Sequence, residues 1–213
     1  MNEDLLRFKN YQKYIFFDFE TCGLNLGSLS NKPWQLAFLV IENGKISERV
    51  DYWLKWDNLQ VSPGAARVTG WTAQAYKKKG VDPREPLRHF EKYLYNPSYL
   101  KVGHNVLGFD VYIHGIYRRL LGQSPDYSYL PELIDTLSLA KAIKNNIQYD
   151  QSEDFLSWQY KLNDFISKKV KTNLTQLCKD YQIDFDPKKL HDALYDIEKN
   201  YEVFKKMIWD IEI

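Results

Sequence analysis

Two carboxylates, Asp18 and Glu20, stand two residues apart at the end of the apolar and aromatic run over residues 14–19. Side chains alternate along a strand, so both acids project from one face while Phe17 and Phe19 point to the other. Neighbouring carboxylates repel unless a cation neutralises them. A divalent-metal site is one reading, and a strand running out into solvent is the other. Asp110 follows the turn His104-Asn105-Val106-Leu107-Gly108-Phe109 and falls in the first turn of an expected helix. The helix dipole alone favours an acid there. Crossover connections, however, bring such strand ends together along one sheet edge, where Asp110 can reach the space of Asp18 and Glu20.

The segment His191-Asp192-Ala193-Leu194-Tyr195-Asp196 completes the set. Around a helix whose apolar face centres near Tyr201 and Ile208, Asp192 lies nearly opposite that face. Asp196 lies nearer its flank, by a margin of roughly 40° at about 100° per residue. Asp196 is therefore the better partner for the sheet acids. His191 is expected on the loop or cap ahead of the helix, free to swing over the metals. A set of carboxylate oxygens suits hard cations and argues against zinc or copper.

The elements that must position these groups can be read from periodicity. Residues 14–19, 34–41 and 46–54 read as three strands, and Asn43-Gly44 between the last two is a strong hairpin signal. Ser62-Pro63-Gly64 breaks the strand pattern; residues 68–79 and 86–95 read as helices. Short strands follow at 99–103 and 133–135, alternating with helices at 109–121 and 137–143. The expected fold is α/β, with a mixed five-stranded sheet: a three-stranded antiparallel meander plus two parallel strands, flanked by helices. Residues 145–170 read as an added helical unit opened by Ser152, with Phe155, Trp158, Leu162, Phe165, Ile166 and Val170 at helical spacing. A helix over 174–181 and a last one over 192–211 close a chain expected to be a single domain, 1–213, with no repeat or flexible linker.

Composition sets limits. The 213 residues carry 29 basic and 28 acidic side chains, a formal net charge of +1, so no large positive excess advertises a nucleic-acid binder. Carboxylates gathered for metals would mask basic residues in that total. The 44% of hydrophobic residues support a sizeable core. Cys22 and Cys178 form no CxxC or Cys/His cluster, which excludes a zinc framework, and Cys22 reads as a small packed thiol. No apolar segment approaches ~18 residues, so no signal peptide or membrane span is expected and a cytoplasmic location is the default. Lys77, Lys78, Lys79, Arg84 and Arg88 form the densest basic stretch, with Arg118-Arg119 a smaller one. Solvated helix surface is the first reading of them and phosphate tracking the second.

Three segments together resemble the DnaQ-like DEDD exonuclease superfamily, in its histidine subgroup. Phe17-Asp18-Phe19-Glu20-Thr21 with Gly23-Leu24 is similar to the first motif, His104-Asn105 with Phe109-Asp110 to the second, and His191, Ala193 and Asp196 to the third. The tyrosine subgroup would place Tyr where Asp192 stands. Ile134-Asp135-Thr136 with Leu139-Ala140 resembles a further recurrent segment. The similarity spans roughly residues 14–205. It departs at Thr69, where a histidine is frequent, and in the length of the 145–170 unit.

The resemblance implies an RNase H-like fold and two divalent ions, Mg²⁺ or Mn²⁺, with Asp18 bridging and Glu20, Asp110 and Asp196 completing their shells. It implies His191 as general base, a role suited to an imidazole with its ordinary pKa near about 6.5. Thr21 and Leu24 would border the terminal nucleotide, with Asn105 and Phe109 on the opposite wall. The implied substrate is single-stranded or 3′-ended nucleic acid, cut from its 3′ end into nucleoside 5′-monophosphates. DNA and RNA remain alternatives, since the 2′-hydroxyl contact cannot be located. A silent binding module and an RNase H-type endonuclease are the further rivals.

Overall fold

Strand β1, Lys13–Thr21, is built from aromatic and β-branched residues that fit a pleat buried on both sides. It pairs antiparallel with β2, Pro33–Glu42, which pairs antiparallel with β3, Lys45–Leu54. Between β2 and β3, Asn43 (φ 52°) and Gly44 (φ 70°) both take the left-handed conformation, as a two-residue primed turn demands. β2 is buried almost throughout, while β3 alternates, so β3 is the half-covered outer strand of the meander. The computed structural model describes residues 4–165 and 170–213.

On the other side of β1 lie β5, Tyr99–Gly103, and β6, Leu133–Asp135, both parallel. A sixth strand, β4, Gly80–Val81, adds to the outer edge of β3, giving the order β4-β3-β2-β1-β5-β6. The sequence indicates five strands; β4 has only two residues, too few to show a period. The single helix expected over 68–79 is two. Helix α1, Pro63–Thr69, is capped by the Ser62 hydroxyl, which accepts from the Ala65 amide at 3.1 Å, with Pro63 at its first position. It ends at Gly70 (φ 69°), and Thr72 caps α2, Ala73–Lys79. Ser62-Pro63-Gly64 therefore opens a helix as well as ending a strand.

Helices cover both faces of the sheet. α3, Arg84–Leu94, and α4, Asp110–Leu120, pack against Ile15, Phe17, Phe19, Leu36 and Phe38. α5, Thr136–Lys144, α6, Phe155–Asp164, α7, Leu174–Asp180, and α8, Ala193–Met207, cover Tyr14, Phe16, Ala37 and Leu39. Tyr201 and Phe204 of α8 set their rings 5.2 and 5.5 Å from that of Phe16, which fixes α8 across β1.

In the 145–170 unit the capping residue is Asp154, not Ser152; its carboxylate accepts from the Ser157 amide at 2.8 Å. α6 stops at Asp164, because Phe165 turns extended (φ −67°, ψ 118°). Ile166 lies outside the described residues. α8 likewise begins one residue after Asp192 and ends four before Ile211. Among the described residues no helix is long and apolar enough to cross a membrane.

Candidate active site

Alternation along β1 sends Asp18 and Glu20 to the face shared with Phe16, toward α8. The register with β2 slips between Glu20 and Thr21, a bulge that ends regular pairing where the acids emerge. The chain then turns: the Thr21 hydroxyl donates to the Gly23 carbonyl at 2.5 Å, and the Gly23 amide donates to Asn31 Oδ1 at 2.9 Å.

The second group is delivered by the turn after β5. Gly103 leaves no room for a side chain, since a Cβ there would lie 2.8 Å from Val106 Cβ and 3.2 Å from the Phe17 carbonyl. Asn105 takes a left-handed φ of 62°. The turn is held from beneath by Asp135, fully buried at the end of β6, which accepts from the amides of Asn105 (2.8 Å), Leu107 (3.1 Å) and Leu137 (2.9 Å) and from Asn163 Nδ2 (3.1 Å). Gln159 of α6 brackets the same strand, accepting from the Asp135 amide and donating to the Leu133 carbonyl. α4 thus starts in a fixed place, and Asp110 Oδ1 accepts from the Phe19 amide at 3.0 Å. That bond ties the second acid to the strand bearing the first two.

At α8 the two aspartates occupy different places. Asp192 caps the helix, accepting from the Tyr195 amide at 3.1 Å. Asp196, one turn in, accepts from the His191 amide at 3.1 Å through Oδ2, and its Oδ1 is buried without a partner. His191 is exposed, outside the helix, and held at a left-handed φ of 67°.

Asp18, Glu20, Asp110, His191 and Asp196 line one cleft of about 310 Å³, together with Asn105 and Phe109. Thr21 is buried behind it, and Leu24, 85% exposed, borders a separate hollow with Cys22 and Gly23. The sequence reading assigned no role to several further contributors. Asn173, Thr175 and Asn200 also line the cleft, and Asp135 and Gln159 support its rear turn. His104 reaches the cleft edge with Nδ1 3.0 Å from the Thr136 hydroxyl, which donates to Asn200 Oδ1 at 2.8 Å.

The electrostatics are those of crowded acids without a counter-charge. Burial raises Asp18 well above the ordinary carboxylate range, and Asp110, Glu20 and Asp196 add to it. Glu20 is raised by burial and then by Asp196 and Asp110. Burial also raises Asp110, against the lowering effect of the Phe19 amide. Asp196 is pushed up to about 7 by burial, partly offset by the His191 amide. His104 is held down at about 4 by burial, so it is neutral at pH 7 and adds no positive charge. Among the described residues no lysine or arginine lines the cleft. The donors are hard oxygens, and the Asp196 oxygen without a partner is a ready ligand, which together fit a divalent cation. As the side chains stand, no three acid, histidine or cysteine groups among the described residues are gathered tightly enough to ligate one ion.

Comparison with known proteins places this geometry. The family model RNase T, described as an exonuclease, matches residues 15–204. The chain is 26% identical over 215 residues to the PolC-type DNA polymerase III of Mycoplasma pneumoniae, covering 97% of this chain and 12% of that one. It is 26% identical over 197 residues to the same polymerase of Ureaplasma parvum, covering 91% and 11%. The chain therefore spans about an eighth of the length of these relatives. Among solved structures, a zinc-bound complex of E. coli exonuclease I with single-stranded DNA matches with a TM-score of 0.71 and 20% identity, covering 91% of this chain and 40% of that one. The complex of E. coli exonuclease I with a dT13 oligonucleotide matches at 0.70 and 19%, covering 92% and 40%. At this identity the likeness is one of fold, and it agrees with the mixed sheet described above.

Proposed function

The chain belongs to the RNase T exonuclease family, and on that premise we propose that it is a metal-dependent 3′→5′ exonuclease of the histidine subgroup, acting on single-stranded DNA. The observation that carries the proposal is the meeting of Asp18, Glu20, Asp110, Asp196 and His191 in one cleft, from three separate parts of the chain. Asp18, Glu20, Asp110 and Asp196 would hold two divalent ions, Mg²⁺ or Mn²⁺. Such a pair supplies a water nucleophile at neutral pH and charge stabilisation for the leaving 3′ oxygen. A binding module has no need of four mutually repelling acids, all of them half-buried or buried.

The protein's own groups do the rest. His191 is exposed on its turn at the cleft mouth, where its imidazole can take the proton of the attacking water. Asp196 holds the His191 backbone, so base and ligand are set by one carboxylate. Phe109 and Asn105 form the wall beside Asp110 and border the terminal nucleotide. Leu24 is exposed on the turn that Thr21 shapes, outside the cleft lining, and from there would border the terminal nucleotide. The product is a nucleoside 5′-monophosphate.

Incubation with 3′-labelled and 5′-labelled single-stranded DNA and RNA, in Mg²⁺ or excess EDTA, tests the proposal. Stepwise shortening of the 5′-labelled strand, immediate release of the 3′ label and silence in EDTA are expected. Persistent cleavage in EDTA, or internal cuts, would sink it.

A further inference from the structure

Beside the catalytic cleft runs a second, larger groove of about 570 Å³, between the end of α1 and the segment leading into α8. The two hollows share Leu190 as a common wall, and Asp192 of the groove is the neighbour of His191. Their electrostatics are opposite. The groove takes Arg67 from α1 and Lys188 and Lys189 from the facing segment, all exposed. Among the described residues none of these three has an ion-pair partner. Its two acids are already engaged: Glu198 pairs with Arg49 at 2.9 Å, and Asp192 caps α8. With Glu198 paired to Arg49, the three cations outnumber Asp192, and a net positive charge lies next to the carboxylates. The groove also contains the Tyr195 ring, anchored where its hydroxyl accepts from the Asp186 amide at 2.7 Å.

The densest basic stretch of the sequence lies elsewhere, and three of its five cations are engaged: Arg84 pairs with Asp82 and Arg88 with Glu85, while Lys79 sits 4.5 Å over the Trp53 ring. Arg67 and Lys188, with Lys189 5.8 Å over the Tyr195 ring, supply the cations and aromatic surface that a single strand needs for binding without base selection. We propose that this groove holds single-stranded DNA upstream of the nucleotide being removed, with Arg67, Lys188 and Lys189 on its phosphates and Tyr195 against a base. The proposal rests on the exonuclease reading for the direction in which the strand leaves the cleft, but its binding test does not need cleavage.

The test uses the Lys188→Gln/Lys189→Gln double variant and a 5′-fluorescein dT12 probe, read by anisotropy in EDTA. Two lost phosphate contacts should weaken binding roughly tenfold at ~0.1 M salt and flatten the log–log salt slope by about 1.4, from ~0.7 per contact on single strands. Lys188→Arg/Lys189→Arg should bind as the parent does. Lys77→Gln/Lys78→Gln, outside the groove, should also retain affinity. Parental affinity in the glutamine variant, equal loss in the Lys77/Lys78 control, or no binding of dT12 by the parent would each overturn the groove. In Mg²⁺, kcat/KM of the parent should rise from dT2 to dT12, and the glutamine variant should lose most of that rise; equal loss at both lengths would also overturn it. Groove-dependent binding with no hydrolysis at any length would leave the groove standing and remove the exonuclease reading instead.

Discussion

Asp135 touches nothing that reacts, yet it should be the most informative residue to change by one atom. Its carboxylate accepts four hydrogen bonds, two of them from the Asn105 and Leu107 amides in the turn that carries Asp110. Asp135→Asn keeps the shape and one acceptor oxygen, which can still serve Asn105 and Leu137. It presents an NH2 group to the Leu107 amide and to Asn163 Nδ2. Asn163 can rotate its amide, but the buried Leu107 N–H loses its Asp135 acceptor, a loss of about 1–3 kcal/mol. Over a chain of this size each 1 kcal/mol moves the melting point by roughly 2–4 °C, so a fall of about 4–8 °C is expected for a mid-range loss. The displaced turn moves Asp110 relative to Phe19 and should lower kcat on dT12 by tenfold or more, with KM changed little. Scanning calorimetry and steady-state kinetics read the two effects. A variant with parental melting point and parental kcat would refute the idea that Asp135 places the second acid.

The remaining expectations concern the acids and the histidine directly. Asp196 is raised in the fold from 3.8 to about 7, so its proton favours the folded state. That stabilisation is complete below pH ~4 and lost as the pH climbs through about 7, amounting to roughly 1–3 kcal/mol once partial solvent access is allowed for. Denaturant melts in EDTA should show the parent losing stability relative to Asp196→Asn between pH 4 and 7; a relative gain would contradict the assignment. Asp196→Ala should abolish detectable hydrolysis, whereas Asp192→Ala should cost about 1 kcal/mol of stability through the lost cap and leave slower but measurable activity. The reverse order in a gel assay would mean the wrong aspartate was chosen. His191→Ala should lower kcat by roughly 10²–10⁴-fold, with Mn²⁺ affinity by calorimetry nearly parental; loss of the ions would make His191 a ligand.

Most of the frame was legible because it is locally encoded. The aromatic run of β1, the Asn43-Gly44 turn and the spacing of Ile197, Tyr201 and Phe204 each carry their own period, and they define the meander and α8. The choice of Asp196 over Asp192 followed from about 100° per residue alone. What the sequence hid was non-local. β4 exists because Gly80 and Val81 meet Trp53 and Leu54, and two residues have no pattern. Asp135 stood out in the sequence only as part of a recurrent segment; the fold shows that it holds a turn some thirty residues earlier. Arg67, Lys188 and Lys189 form no run, so the basic stretch at 77–88 outweighed them on the page although its arginines are neutralised.

The bond from the His191 amide to Asp196 spans five residues and ties the proposed groove to the proposed metal site. One oxygen of that carboxylate holds the segment bearing Lys188, Lys189 and His191; the other is free for a cation. If the proposed site and groove hold, a cation that draws on Asp196 would alter how firmly the segment is held, and a strand that orders the segment would alter how Asp196 is presented. The two equilibria then share one thermodynamic cycle: whatever factor Mg²⁺ applies to DNA affinity, DNA must apply to Mg²⁺ affinity. An enzyme wired in this way would take up its cations and its strand as reciprocal partners.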